Sequence, residues 1–291
     1  MVPDLYEVST RTVCRKHQSE MQTSGGRTGN ADLGKALCII TGASKGFGRS
    51  LAQLASPLLQ PGSVMVLVAR SGDKLREVQS EISGTIPAKD GLEIRCVEAD
   101  LGRKEGLQEV VRVVSEIEPQ AIDHVLLINN ASALGDVSRF AADFTCLAEV
   151  DSYLSFNVSS MLCLTASVLK AFPRRDGLRR SMVNVSSLCA LQPFKSWSLY
   201  CTGKAAREML FRVLAEEEPD VRVLNYAPGP LDTDMQLEAR SLSGDLELRQ
   251  TFNSLHASGQ LLSCSQSATK LMQQLLRDEF ESGAHIDYYD V

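Results

Sequence analysis

The sequence predicts an α/β protein with one doubly wound parallel sheet of about seven strands and helices on both faces, and three observations predict it. From Lys35 onward, short β-rich apolar runs alternate with longer segments of helical period, as in chains built from βαβ units. The runs are nearly continuous in Val, Ile and Leu, which suits strands covered on both faces. A glycine-rich turn stands directly between the first run and the first helix, where such sheets receive phosphate groups. Open sheets of this kind reach 291 residues as one unit, so a single domain is expected over 34–291.

Strands are expected at 36–41, 63–69, 92–98, 123–129, 181–186, 221–226 and 284–288, and helices at 47–59, 73–82, 103–117, 148–172, 199–217 and 265–278. Right-handed crossovers then place helices on both sides of the sheet. Residues 232–262, bounded by Pro228-Gly229-Pro230 and Gly259, break the rhythm with a polar, helix-prone insertion. Ligands of such folds lie beyond the carboxyl ends of the strands, so the insertion is placed to act as a lid.

The totals exclude several functions. Apolar residues make up 44% and charged residues 23%, and the net charge is −6. This is a globular composition with no long-range pull on nucleic acid or anionic membranes. The most apolar stretches, 64–69 and 125–128, fall far short of the roughly 20 residues of a membrane span, so no membrane crossing is expected. Eight cysteines occur without a C-x-x-C pair, read as reduced thiols in a cytoplasmic protein. The four histidines lack the spacing of metal ligands, and no metal is expected. Residues 1–33 are polar and aperiodic, without the apolar core of a secretory signal, and read as a disordered leader.

Each strand end then contributes chemistry in turn. After the first come Gly42, Ser44, Lys45, Gly46, Phe47 and Gly48. Glycines here turn the chain, let backbone N–H groups approach a pyrophosphate, and permit close helix contact, giving a Rossmann-type dinucleotide site. The second strand ends in Ala69-Arg70, where an NAD-binding chain would carry an acid. Arg70 and Lys45 can instead pair with a 2′-phosphate, so NADPH/NADP is the expected cofactor. Asp100-Leu101 closes the third strand and Asn129-Asn130 the fourth, positions that simple turn chemistry also favours.

The fifth strand runs into Ser187, and Tyr200 follows with Lys204 four residues on, which puts phenol and ammonium on one helical face. Taken alone, that spacing is common on protein surfaces. Beside a dinucleotide site it fits carbonyl reduction, in which Tyr200 supplies the proton. A cation at about 4 Å, at an effective dielectric near 20, would stabilise the phenolate by roughly 4 kcal/mol, so Lys204 is expected to acidify Tyr200. Ser187 would orient the carbonyl oxygen. Asn157 is a candidate for holding a water that relays protons to Lys204, or a tolerated helical Asn. Trp197 could wall the pocket or pack in the core.

Together these residues resemble the short-chain dehydrogenase/reductase family over essentially everything from Lys35 onward. The resemblance implies a catalytic tetrad of Asn157, Ser187, Tyr200 and Lys204, and places Gly229, Leu231 and Thr233 beside the cofactor. Where the family continues Asn-Asn-Ala with Gly, this chain has Ser132. A closer likeness within the family, over 188–195, 225–234 and 282–287, implies a homodimer that reduces pterin side-chain carbonyls on the way to tetrahydrobiopterin. It sets Leu188, Trp197 and Gly229 beside the substrate and gives Asp287 the anchoring role. A carboxylate accepts two N–H groups of a 2-aminopyrimidinone ring in bidentate fashion, although composition alone makes Asp287 a solvated residue. The rivals are a reductase of other ketones or aldehydes, and a nonenzymatic NADP sensor that would not need Tyr200 or Lys204.

Overall fold

Alternate residues of the first strand feed two separate cores. Cys38 and Ile40 face one side of the sheet with Met65, Leu67, Leu51 and Leu271, and Leu37 and Ile39 face the other with Val66, Val113, Leu164 and Phe211. All of these are under 9% exposed, and burying each such side chain stabilises the fold by about 1.5–3 kcal/mol. The computed structural model describes residues 31–85 and 91–291.

The strands are β1 (Ala36–Thr41), β2 (Val64–Ala69), β3 (Glu93–Glu98), β4 (His124–Asn129), β5 (Arg179–Val185), β6 (Val221–Ala227) and β7 (His285–Asp287). They form one parallel sheet in the order β3-β2-β1-β4-β5-β6-β7. The order reverses between β1 and β4, which opens a crevice at their carboxyl ends. The helices are α1 (Gly46–Ala55), α2 (Gly72–Thr85), α3 (Lys104–Ser115), α4 (Leu147–Ala171), α5 (Ser198–Glu217), α6 (Asp234–Leu242), α7 (Leu246–Ala257) and α8 (Cys264–Arg277). α1 and α8 cover one face, and α3, α4 and α5 cover the other.

Four expectations need correction. Asp32 and Leu33, assigned to the leader, belong to the fold: Leu33 is fully buried and its N–H donates to Leu58 O; residues 1–30 lie outside the described residues. β3 is an edge strand whose Glu93 and Glu98 face solvent, so the rule of apolar strands covered on both faces fails there. The first helix stops at Ala55 and continues as a tight turn over Ser56–Leu58, since Pro57 removes a backbone donor. Finally, α4 is 25 residues long with a mean hydropathy of 1.3 in its most apolar window, so among the described residues one helix is long and apolar enough for a span by those measures. Its apolar residues Met161, Leu164 and Val168 are used against the sheet.

Candidate active site

The carboxyl ends of β1, β2, β4, β5 and β6 open into one cavity of about 1100 Å³. At one end lies the turn into α1. Gly46 there has φ +54°, a conformation that strains residues bearing a Cβ. A Cβ on Gly48 would lie 2.2 Å from Gly42 O, so only glycine lets α1 approach β1 this closely. No side chain caps α1, which leaves its first N–H groups for an external anion. The Asn130 amide donates to Thr41 O at 2.8 Å, and Thr41 Oγ1 accepts from the N–H groups of Asn130 and Ala131. That tie holds the crevice between β1 and β4 at fixed width. These features fit a dinucleotide pyrophosphate.

Arg70, Lys45 and Lys74 stand exposed at the cavity mouth. Lys45 is held at 2.6 Å by Asp234, the first residue of α6, and this ion pair keeps the Asp234 carboxyl below the usual carboxylate range. Lys74, in the first turn of α2, was not singled out from sequence. Among the described residues no ion pair engages Arg70.

Farther in, Ser187, Tyr200 and Lys204 line the cavity together, with Tyr200 8% and Lys204 3% exposed. Ser187 accepts from Cys189 N at 3.2 Å and stands beside the phenol in the cavity wall. Burial raises the Tyr200 phenol well above its ordinary range; Cys189 and Tyr153 add to this, while Ser187 and Arg207 oppose it. The Lys204 ammonium donates to Val185 O at 2.7 Å and lies 5.4 Å from the Tyr200 ring centroid, and burial holds it well below the usual lysine range.

Asn157 is buried in a π-helical turn, Ser155–Ser159, within α4. Its Oδ1 accepts from Ser132 Oγ at 3.0 Å and Ala133 N at 2.8 Å, and its Nδ2 donates to Tyr153 O. Both lone pairs of the amide oxygen are taken, and one of the two Nδ2 protons. Asn157 thus pins the loop after β4, with Ser132 supplying a donor that the family's usual glycine lacks.

Trp197 joins lid to pocket. Its indole N–H donates to Ser243 Oγ at 2.9 Å, its ring stacks on Phe252 of α7 at 5.4 Å, and it meets Tyr200 edge-on at 5.5 Å. The insertion thus closes over the cavity as two helices, and Phe194, Met235 and Phe252 are lining groups that no sequence motif marked.

Opposite them Asp287 is 7% exposed. Its Oδ1 accepts from Tyr289 N at 3.0 Å, while its Oδ2 is buried without a partner. Burial raises its carboxyl, with the N–H of Tyr289 opposing.

Ser44, Phe47, Ala69, Leu101, Leu188, Gly229, Leu231 and Thr233 also line the cavity as expected. Gly48, Asp100 and Asn157 do not; Asp100 spends its Oδ1 on Gly102 N, a turn role.

The arrangement is that of an oxidoreductase built on a Rossmann-type sheet, and the chain belongs to the short chain dehydrogenase family, whose profile matches residues 36–243. It accordingly works with a nicotinamide cofactor. It is 53% identical to the sepiapterin reductase of Bos taurus over 93% of this chain and 100% of that protein. It is 54% identical to the sepiapterin reductase of Meriones unguiculatus over 89% of this chain and 98% of that one. A short chain dehydrogenase/reductase from Saccharomyces cerevisiae has the same fold, with a TM-score of 0.74 and 26% identity, over 88% of this chain and 96% of that one.

Proposed function

We propose that this chain is an NADPH-dependent reductase of pterin side-chain carbonyls with Tyr200 as proton donor, and the observation that carries the reading is Asp287, a buried carboxylate in the cavity wall whose Oδ2 has no partner. A buried carboxylate oxygen without a donor is costly unless a ligand supplies one. The amino and ring N–H groups of a 2-aminopyrimidinone match that need. The relatives named for sepiapterin, a pterin, agree with this choice.

Arg70, Lys74 and Lys45 would hold the 2′-phosphate of NADPH, and the α1 N-terminus its pyrophosphate. When bound, the nicotinamide supplies a hydride to the carbonyl carbon. Tyr200 gives its proton to the carbonyl oxygen, with Ser187 donating a second hydrogen bond there. Trp197 and Phe252 exclude water, and Asp287 fixes the ring so that the side-chain carbonyl meets Tyr200. A homodimer joined through the outward faces of α4 and α5 fits Leu162, Met209 and Val213, which are 47%, 54% and 43% exposed. A cytoplasmic setting fits the seven free cysteines among the described residues.

The test is NADPH consumption with sepiapterin against ketones and aldehydes that lack a pyrimidinone ring. Sepiapterin should have the higher kcat/KM by at least roughly tenfold, the worth of one charge-assisted hydrogen bond. Equal preference would leave a short-chain reductase of other carbonyls. For the cofactor, Arg70→Ala should weaken NADPH binding by about tenfold and leave NADH binding nearly unchanged. Equal losses for both, measured by fluorescence titration, would remove the 2′-phosphate role.

A further inference from the structure

The core under α5 is apolar along most of the sheet and turns polar in one row at the carboxyl ends of the strands. Leu127 of β4, Met182 of β5 and Val223 of β6 stand in register within that core. Two residues farther along each strand, on the same face, come Asn129, Asn184 and Asn225, again in register, and β7 completes the row with His285. α5 supplies the matching charges. Arg207 donates to Asn184 Oδ1 at 2.8 Å and to Asn129 O at 2.5 Å, and Asn184 Nδ2 donates to Asn225 Oδ1 at 2.9 Å. Glu208 accepts from Ser186 Oγ at 2.5 Å, and its other oxygen lies 3.1 Å from His285 Nδ1. The three asparagines and both charged residues are buried. Neither Glu208 Oε1 nor His285 Nδ1 has another partner among the described residues.

Buried charged and polar groups stabilise less than apolar side chains of the same volume, but each must meet its own partner, which specifies register. Register matters most at β7. That strand has three residues and one neighbour, β6, and so short a pairing is weak on backbone bonds alone. Asp287 follows His285 by two residues, hence on the same face, opposite Ala227. A slip of one residue would turn Asp287 to the other face of the sheet, where Ile286 packs against the apolar core. We propose that Glu208 is a positioning residue for the pterin anchor: by holding His285 it fixes the register of β7 and keeps the Asp287 carboxylate in the cavity wall. Neither Glu208 nor His285 lines the cavity, so both act through the strand. Asn225 supports the same placement, donating to Gly283 O at 3.2 Å in the turn before β7. Because Glu208 stands on the helix that carries Tyr200, one contact also sets the anchor relative to the proton donor.

The proposal rests on Asp287 holding the pterin ring, and the experiment separates the two. With NADPH saturating, Glu208→Ala should raise KM for sepiapterin by roughly tenfold, since small displacements of a positioned group are strongly felt, while kcat stays near wild type. A small ketone that lacks the pyrimidinone ring should keep its wild-type kcat/KM. Glu208→Gln retains an acceptor for Ser186 Oγ and a polar atom toward His285 Nδ1, and should restore KM. Should Glu208→Ala not fold, His285→Leu, which leaves α5 unaltered, should raise the same KM. In an Asp287→Ala background Glu208→Ala should cost nothing further, because both act through one carboxylate. Equal losses on both carbonyls, or losses that add to those of Asp287→Ala, mean a general packing role and overturn the proposal. If Asp287→Ala leaves sepiapterin turnover unchanged, the pterin reading fails first; if that variant is selectively impaired on sepiapterin while Glu208→Ala is silent, only the Glu208 proposal fails.

Discussion

Tyr200→Phe is expected to reduce kcat for carbonyl reduction by roughly 10²–10⁴, the range that a positioned general acid supplies. The substitution removes one hydroxyl and little else. The ring keeps its edge-on contact with Trp197 at 5.5 Å and its burial at 8% exposure, so the lid contact and the fold remain. Ser187 still accepts from Cys189 N and can still orient a carbonyl. Binding of NADPH and the melting temperature should therefore stay near wild-type values while turnover collapses. Undiminished velocity would mean that another group or water provides the proton, and the mechanism argued above would be wrong.

The second large effect is expected at Asp287. Asp287→Ala removes an acceptor whose Oδ2 is buried and unpartnered beside the cavity. Two charge-assisted hydrogen bonds of about 1.5–3 kcal/mol each would be lost. The expected fall in kcat/KM for sepiapterin is roughly 10² or more, with a carbonyl lacking the pyrimidinone ring nearly unaffected. Equal turnover of sepiapterin by variant and wild type would favour a different substrate class.

Asp287→Asn gives a stability counterpart with a definite sign. Burial raises the folded-state carboxyl above its unfolded value, so the protonated form is the one that folding favours. The stability this group contributes is present below the unfolded value and lost as pH rises through the folded value. At neutral pH the ligand-free protein thus carries a destabilising carboxylate, and the neutral Asn, which can keep the bond from Tyr289 N, should raise Tm there but not in acid. A lower Tm at neutral pH would show that the carboxylate is satisfied in the free protein.

Much of this site was legible because its signals are local. The glycine turn between β1 and α1 is specified by backbone conformation and close approach at Gly46 and Gly48, which only one residue type satisfies. Tyr200 and Lys204 share a face because helical period is set within four residues. Arg207 and Glu208 follow Tyr200 on the same helix, but charged residues on an amphipathic helix ordinarily lie in solvent, and only long-range contacts reveal these two as buried. Asp287 was read as solvated by composition and is enclosed by the segments around it.

The sequence by itself determined the alternation of strands and helices, the dinucleotide turn and the residue types at the strand ends, since these depend on period, backbone sterics and short-range spacing. Tertiary structure alone decided which groups are desolvated and what each one touches: Lys204 on Val185 O, Asn157 on the Ser132 loop, Trp197 between Phe252 and Tyr200, and Asp287 with an oxygen left over. Electrostatic strength depends on burial and on partners far apart in the chain, and local pattern encodes neither.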